Sequence, residues 1–94
     1  MNALIESHRN QIRALAEKRG IRNVRLFGSM ARDSATSSSD VDLLVELEEG
    51  RSGLALGGFL QDVSELLGRK VDVVTENSLH MRIRDKVLKE AVMV

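Results

Sequence analysis

Residues 28–45 read GSMARDSATSSSDVDLLV, and the reading of this stretch decides the fold. Val41 to Leu47 is the strongest strand signal in the chain. Val41, Leu43, Val45 and Leu47 alternate onto one face, with Asp40, Asp42, Leu44 and Glu46 on the other. Upstream, Asn23-Val24-Arg25-Leu26-Phe27 predicts a shorter strand that Gly28-Ser29 breaks, and Met30-Ala31-Arg32 is placed to open a short helix. Between them, residues 33–39 (DSATSSS) form a low-complexity run that predicts a mobile loop.

The flanks carry helical periods. Leu4, Ile5, His8, Ile12, Leu15 and Ala16 recur at spacings of three and four, which predicts one helix over 3–19 stopped by Gly20. Leu56, Phe59, Leu60, Val63, Leu66 and Leu67 predict a second long helix, ended by Gly68, with its start weakened by Gly57 and Gly58. Val71 to Thr75 predicts a third strand, with Asp72 on the face away from Val71 and Val73. Ile83, Val87, Leu88 and Ala91 predict a last helix. The fold class is therefore α/β or α+β: a small sheet of about three strands covered by helices, with strand directions open. Phe59 and its leucine neighbours are expected in the core. Met30 is expected to pack, and His8 and His80 to lie at the surface or its boundary.

Ninety-four residues and 10.4 kDa predict one domain over 1–94. Without Cys, disulfides and thiolate metal sites are excluded, and two His make a His-rich zinc site a poor fit. No apolar run approaches the length of a membrane span, and the first residues lack the apolar block of a signal peptide, so the cytoplasm is the expected location. The net charge is zero, and Phe27 and Phe59 are the only aromatics, which argues against a nucleic-acid partner. The neutrality is a cancellation. Residues 1–32 sum to +5, residues 33–67 to −7 and residues 68–94 to +2.

The acidic middle is where chemistry is expected. Asp40 and Asp42 stand two residues apart on one strand face, with Cα atoms about 7 Å apart. Folding gains nothing from two like charges at that range, whereas a Mg²⁺ ion would draw on both. Asp72 joins them if its strand is a neighbour, which makes a two-metal site possible. Gly28-Ser29, between a strand and a short helix, offers backbone N–H groups at a helix N-terminus and a hydroxyl to a polyphosphate. Singly, an Asp-x-Asp is also what a solvated strand face shows, and a Gly-Ser is also an ordinary turn. The combination at this spacing is far more specific. Glu46, Glu48 and Glu49 read as a solvated strand end. Arg82, Arg84, Lys86 and Lys89 read as a charged helix face from which Arg82 or Arg84 can reach a nucleotide or an acidic partner.

With these residues in place, the chain resembles the DNA-polymerase-β-like nucleotidyltransferase superfamily. Its length resembles the minimal branch, the MNT antitoxins of HEPN/MNT toxin–antitoxin pairs. The resemblance spans nearly the whole chain, including GRKVDVV (residues 68–74). It implies that Gly28 and Ser29 hold the triphosphate and that Arg32 lies beside the phosphates. It implies that Asp40 and Asp42 bind metal, and that Asp72 is the third carboxylate, binding metal and activating the attacking hydroxyl. Asp33 departs from the pattern, since many relatives have Gly there.

The resemblance further implies a Mg²⁺-dependent transfer of AMP from ATP to a tyrosine of a partner HEPN ribonuclease toxin. No covalent enzyme intermediate is needed. The chain has no Tyr, so it cannot modify itself at tyrosine. Two alternatives remain open at this stage: an antitoxin that blocks the toxin by binding alone, and a nucleotidyltransferase that acts on RNA or a small molecule.

Overall fold

The computed structural model describes residues 2–94 and follows the order α1 (Ala3–Ser7), α2 (Arg9–Lys18), β1 (Ile21–Phe27), β2 (Val41–Leu47), α3 (Leu54–Leu67), β3 (Val71–Thr75), α4 (Met81–Glu90) and β4 (Val92–Met93). A 3-10 turn over Glu76–Ser78 joins β3 to α4. The first helix is broken where one continuous helix over 3–19 was expected. Asn2 caps α1 by accepting the N–H of Leu4 at 2.9 Å. At its other end, the His8 ring nitrogen Nδ1 donates to the Leu4 carbonyl at 2.8 Å, and the backbone of His8 leaves the helical region at φ −113°. A side chain that bonds the turn before it competes with the helical ladder, and here it ends the helix. The apolar stripe continues across the break, so Ile5, Ile12 and Ala16 are all buried.

The sheet has four strands in the order β3-β2-β1-β4, one more than the periodicity predicts. β1 is antiparallel to β2 and to β4, whereas β2 and β3 are parallel, joined through α3. Two-residue β4 carries no periodic signal of its own. It becomes a strand because Val92 and Met93 pair with Leu26 and Arg25 at an otherwise open edge. β1 begins at Ile21, two residues earlier than expected. The register shifts between Arg22 and Arg25, where Asn23 takes φ +52° as an irregularity in the strand.

α2 and α3 cover one face of the sheet. Phe59, Val63 and Leu67 of α3 and Ile12 and Ala16 of α2 pack against Leu26, Val41, Leu43 and Val45. Arg19 bridges the two helices: its Nε donates to Asp62 Oδ2 at 2.7 Å and its Nη2 to Oδ1 at 3.3 Å. That pair holds the Asp62 carboxyl below its usual range. Gly58 is what lets it cross, because a Cβ there would stand 2.2 Å from Arg19 Nη1. A residue that weakens the helix locally thus leaves room for the ion pair above it. Of the α4 stripe, Val87 is buried and Ile83 is largely exposed. Leu44, on the Asp42 face, is also buried, although neither it nor Val87 belongs to the main core. No helix among the described residues is long and apolar enough to cross a membrane.

Phe59 is fully buried at the centre of this core. Phe59→Ala is expected to cost about 3–5 kcal/mol, read as a lower midpoint in urea denaturation.

Candidate active site

The strand register assembles the site at one end of the sheet. Phe27 of β1 pairs with Asp42 of β2, and Asp42 pairs with Asp72 of β3. In-register neighbours in a parallel pair point to the same face, so Asp42 and Asp72 stand side by side. This is the neighbourhood that the sequence left conditional on strand order. Asp40 lies just before β2. Its carboxylate is 3.9 Å from Lys70 Nζ, while the N–H of Val41 donates to the Lys70 carbonyl at 2.9 Å.

Gly28 follows Phe27 directly, with φ +77°. A Cβ on Gly28 would lie 2.2 Å from Asp42 Oδ2, so glycine is required twice, for its backbone conformation and for the carboxylate packed over it. The expected short helix at 30–32 is instead a hydrogen-bonded turn. Ala31 and Arg32 donate their N–H groups to the Gly28 carbonyl at 3.1 and 3.2 Å, and Ser34 donates to the Ser29 carbonyl at 3.0 Å. Asp33 ends the turn at φ +58°, a conformation that glycine takes without strain, which is the physical reason a Gly suits this position. Met30 is 1% exposed and anchors the turn in the core.

The 33–39 segment is tied down more firmly than its composition predicts. Thr36 N–H donates to Ser39 Oγ at 2.8 Å, and Arg69 Nη1 donates to the carbonyls of Ser39 at 3.0 Å and Thr36 at 3.3 Å. Arg69 thereby fixes the chain immediately before Asp40.

Glu90, at the end of α4, is a site residue that the sequence reading missed. Its Oε2 accepts the Gly28 N–H at 2.7 Å, and Arg32 Nη1 donates to its Oε2 at 3.0 Å and to its Oε1 at 3.1 Å. Burial pushes the Glu90 carboxyl up, but the Gly28 N–H, the Arg32 bond and the charges of Arg32 and Lys86 outweigh it and hold it below its usual range. The one available signal was a negative charge in the last turn of a helix, where the backbone dipole disfavours it. Arg84 does not reach the site and pairs with Glu76 at 2.9 Å.

The carboxylates leave an electrostatic imbalance. Burial raises the Asp42 pKa above its ordinary value, the charges of Asp72, Asp40 and Glu90 raise it further, and Arg32 opposes them. Hard oxygen donors that repel one another fit a divalent cation, which would remove the repulsion. Among the described residues, no three acidic or histidine side chains are arranged as a ready coordination group. Asp42 and Asp72 are the adjacent pair, and Asp40 is turned to Lys70. A concavity of about 550 Å³ lies elsewhere: Glu46, Leu47, Leu56 and Thr75 line it at the opposite ends of β2 and β3.

The sequence matches the nucleotidyltransferase domain over residues 8–94. It is 36% identical over 94 residues to the protein adenylyltransferase MntA of Thermococcus cleftensis, covering all of this chain and 92% of that protein. Among solved structures, a candidate minimal nucleotidyltransferase superposes with a TM-score of 0.85 at 40% identity, covering 100% of this chain and 97% of that one. A more distant fold neighbour is the MNT antitoxin complex with the tri-AMPylated HEPN toxin of Shewanella oneidensis. It superposes with a TM-score of 0.69 at 20% identity and covers 94% of this chain and 69% of that one.

Without a divalent cation, the ionised Asp42 opposes folding. This cost is absent below the ordinary value of 3.8 and grows as pH rises through the elevated folded value. In chelator at about pH 7, Asp42→Asn is therefore expected to raise the melting temperature by about 2–5 °C. At about pH 3 the two proteins should melt alike. Differential scanning fluorimetry across pH checks this, and a lower melting temperature at neutral pH would assign Asp42 a structural role.

Proposed function

Because this chain belongs to the nucleotidyltransferase domain family, among the MntA-like protein adenylyltransferases, we propose that it is an antitoxin that transfers AMP from ATP to a tyrosine of a HEPN toxin. The observation that carries this reading is the Gly28 turn packed against Asp42, with Asp72 in register beside it. The name of the Thermococcus relative and the AMPylated toxin in the Shewanella complex support the type of reaction and the type of partner.

In this reading the chain's own groups bind and orient. Ser29 and the turn behind it face the polyphosphate, with Arg32 as the adjacent cation. Asp40, Asp42 and Asp72 are the residues that would hold Mg²⁺, as a pair of ions in the sense of a two-metal site. Bound there, Mg²⁺ would supply charge neutralisation for the phosphates. Asp72, exposed where Asp42 beside it is half-buried, accepts the proton of the incoming tyrosine hydroxyl. The oxygen forms its bond to the α-phosphorus as the bond to the bridging oxygen breaks, and pyrophosphate carries the electron pair away. Positioning and charge, with no enzyme nucleophile, account for the rate. A second reading, inhibition by binding alone, is favoured by the exposed apolar side chains of Leu54, Met81, Ile83 and Met93, which offer contact area without chemistry.

The test is to incubate the chain with its partner toxin, ATP and Mg²⁺ and to record intact masses. AMP-sized increments on the toxin are expected, and Asp72→Asn should slow their appearance by about 100-fold or more. Neutralised toxicity with no mass increment would replace transfer by binding.

A further inference from the structure

We propose that Glu90 is a specificity-determining residue that occupies the phosphate site and reserves it for ligands carrying a polyphosphate. The inference rests on the nucleotide reading above. Glu90 takes the Gly28 N–H at 2.7 Å and the Arg32 guanidinium at 3.0 Å, two donors which that reading gives to phosphate oxygens. A carboxylate and a phosphate make the same demand, an anionic acceptor facing a backbone N–H and a cation. One N–H and one guanidinium edge cannot serve both, and two anions placed there repel.

The arrangement is built for exchange. The Glu90 side chain is 15% exposed, but Arg32 is 48% exposed, so an incoming anion meets the guanidinium first. The residues after Glu90 are held independently. Val92 pairs with Leu26, and the Val94 N–H donates to the Val24 carbonyl at 3.0 Å. Glu90 can therefore leave by side-chain rotation while α4 and β4 stay in place. The end of a helix is a poor place for a carboxylate, so the two donors are what hold it there. A ligand must outbid this contact. A triphosphate has several charges with which to do so, whereas a monophosphate held only at the aspartates would have no need to.

The experiment measures dissociation constants of wild type and Glu90→Gln for ATP, inorganic tripolyphosphate and AMP by calorimetry. Gln still accepts the Gly28 N–H but no longer neutralises Arg32. ATP and tripolyphosphate are expected to bind about threefold or more tightly to Glu90→Gln, in line with the loss of a half-exposed ion pair, with AMP unchanged. Unchanged or weaker ATP binding to the variant overturns the proposal and makes Glu90 a structural clamp. Equal tightening of AMP overturns the selectivity. Absence of ATP and tripolyphosphate binding to either protein overturns the nucleotide reading itself. If Glu90→Gln does not fold, the wild type still decides. Tripolyphosphate should move the Glu90 side-chain carboxyl carbon resonance, and a resonance that stays fixed as ligand saturates overturns the proposal.

Discussion

The Asp42 carboxylate lies where a side chain on residue 28 would begin. The 2.2 Å between Asp42 Oδ2 and a would-be Cβ on Gly28 makes the turn and the carboxylate one packed unit. The register of β1 against β2 sets that contact, and the parallel register of β2 against β3 sets Asp72 beside it. A slip of one residue in either pairing would send the aspartates to the apolar face. The apolar alternation of β2, buried at Val41, Leu43 and Val45, forbids such a slip. The core thereby fixes the chemistry.

The charged end of the sheet contributes little to its own stability. Asp42, Asp72 and Asp40 repel one another, and Arg32 is shared between Asp42 and Glu90. Stability comes from the opposite face, where α2 and α3 bury Phe59 and Val63 against the strands. Met30 links the two regions by sending a buried side chain from the Gly28 turn into the core. The turn is held rigid from behind while its polar groups face the open end.

The parts legible in the sequence were those with a strict period. β2 and β3 have the expected bounds, α3 ends at Gly68 with φ +63°, and the Gly28 turn lies against Asp42. What escaped depended on single contacts between distant or competing groups. The break at His8 comes from one ring-to-carbonyl bond. β4 exists only because β1 offers an edge. Arg32 was singled out in the sequence, but its partner Glu90 lies 58 residues away and no local pattern joins them. Arg69 carried no reading of its own in the sequence, and only the structure ties it to the carbonyls of Thr36 and Ser39.

The connection of β2 to β3 through α3 has a consequence for the order of assembly. β1 and β2 are joined by a loop of 13 residues and can pair early, bringing Gly28 to Asp42. Asp72 and Glu90 arrive only after longer loops close, and closing them costs entropy before their contacts return any. During synthesis, residues 1–47 can thus present the turn and two aspartates while Arg32 still lacks its carboxylate. The Glu90 contact joins the last helix to the turn after the first strand, so a chain truncated before residue 90 would leave that guanidinium open to other anions in the cell.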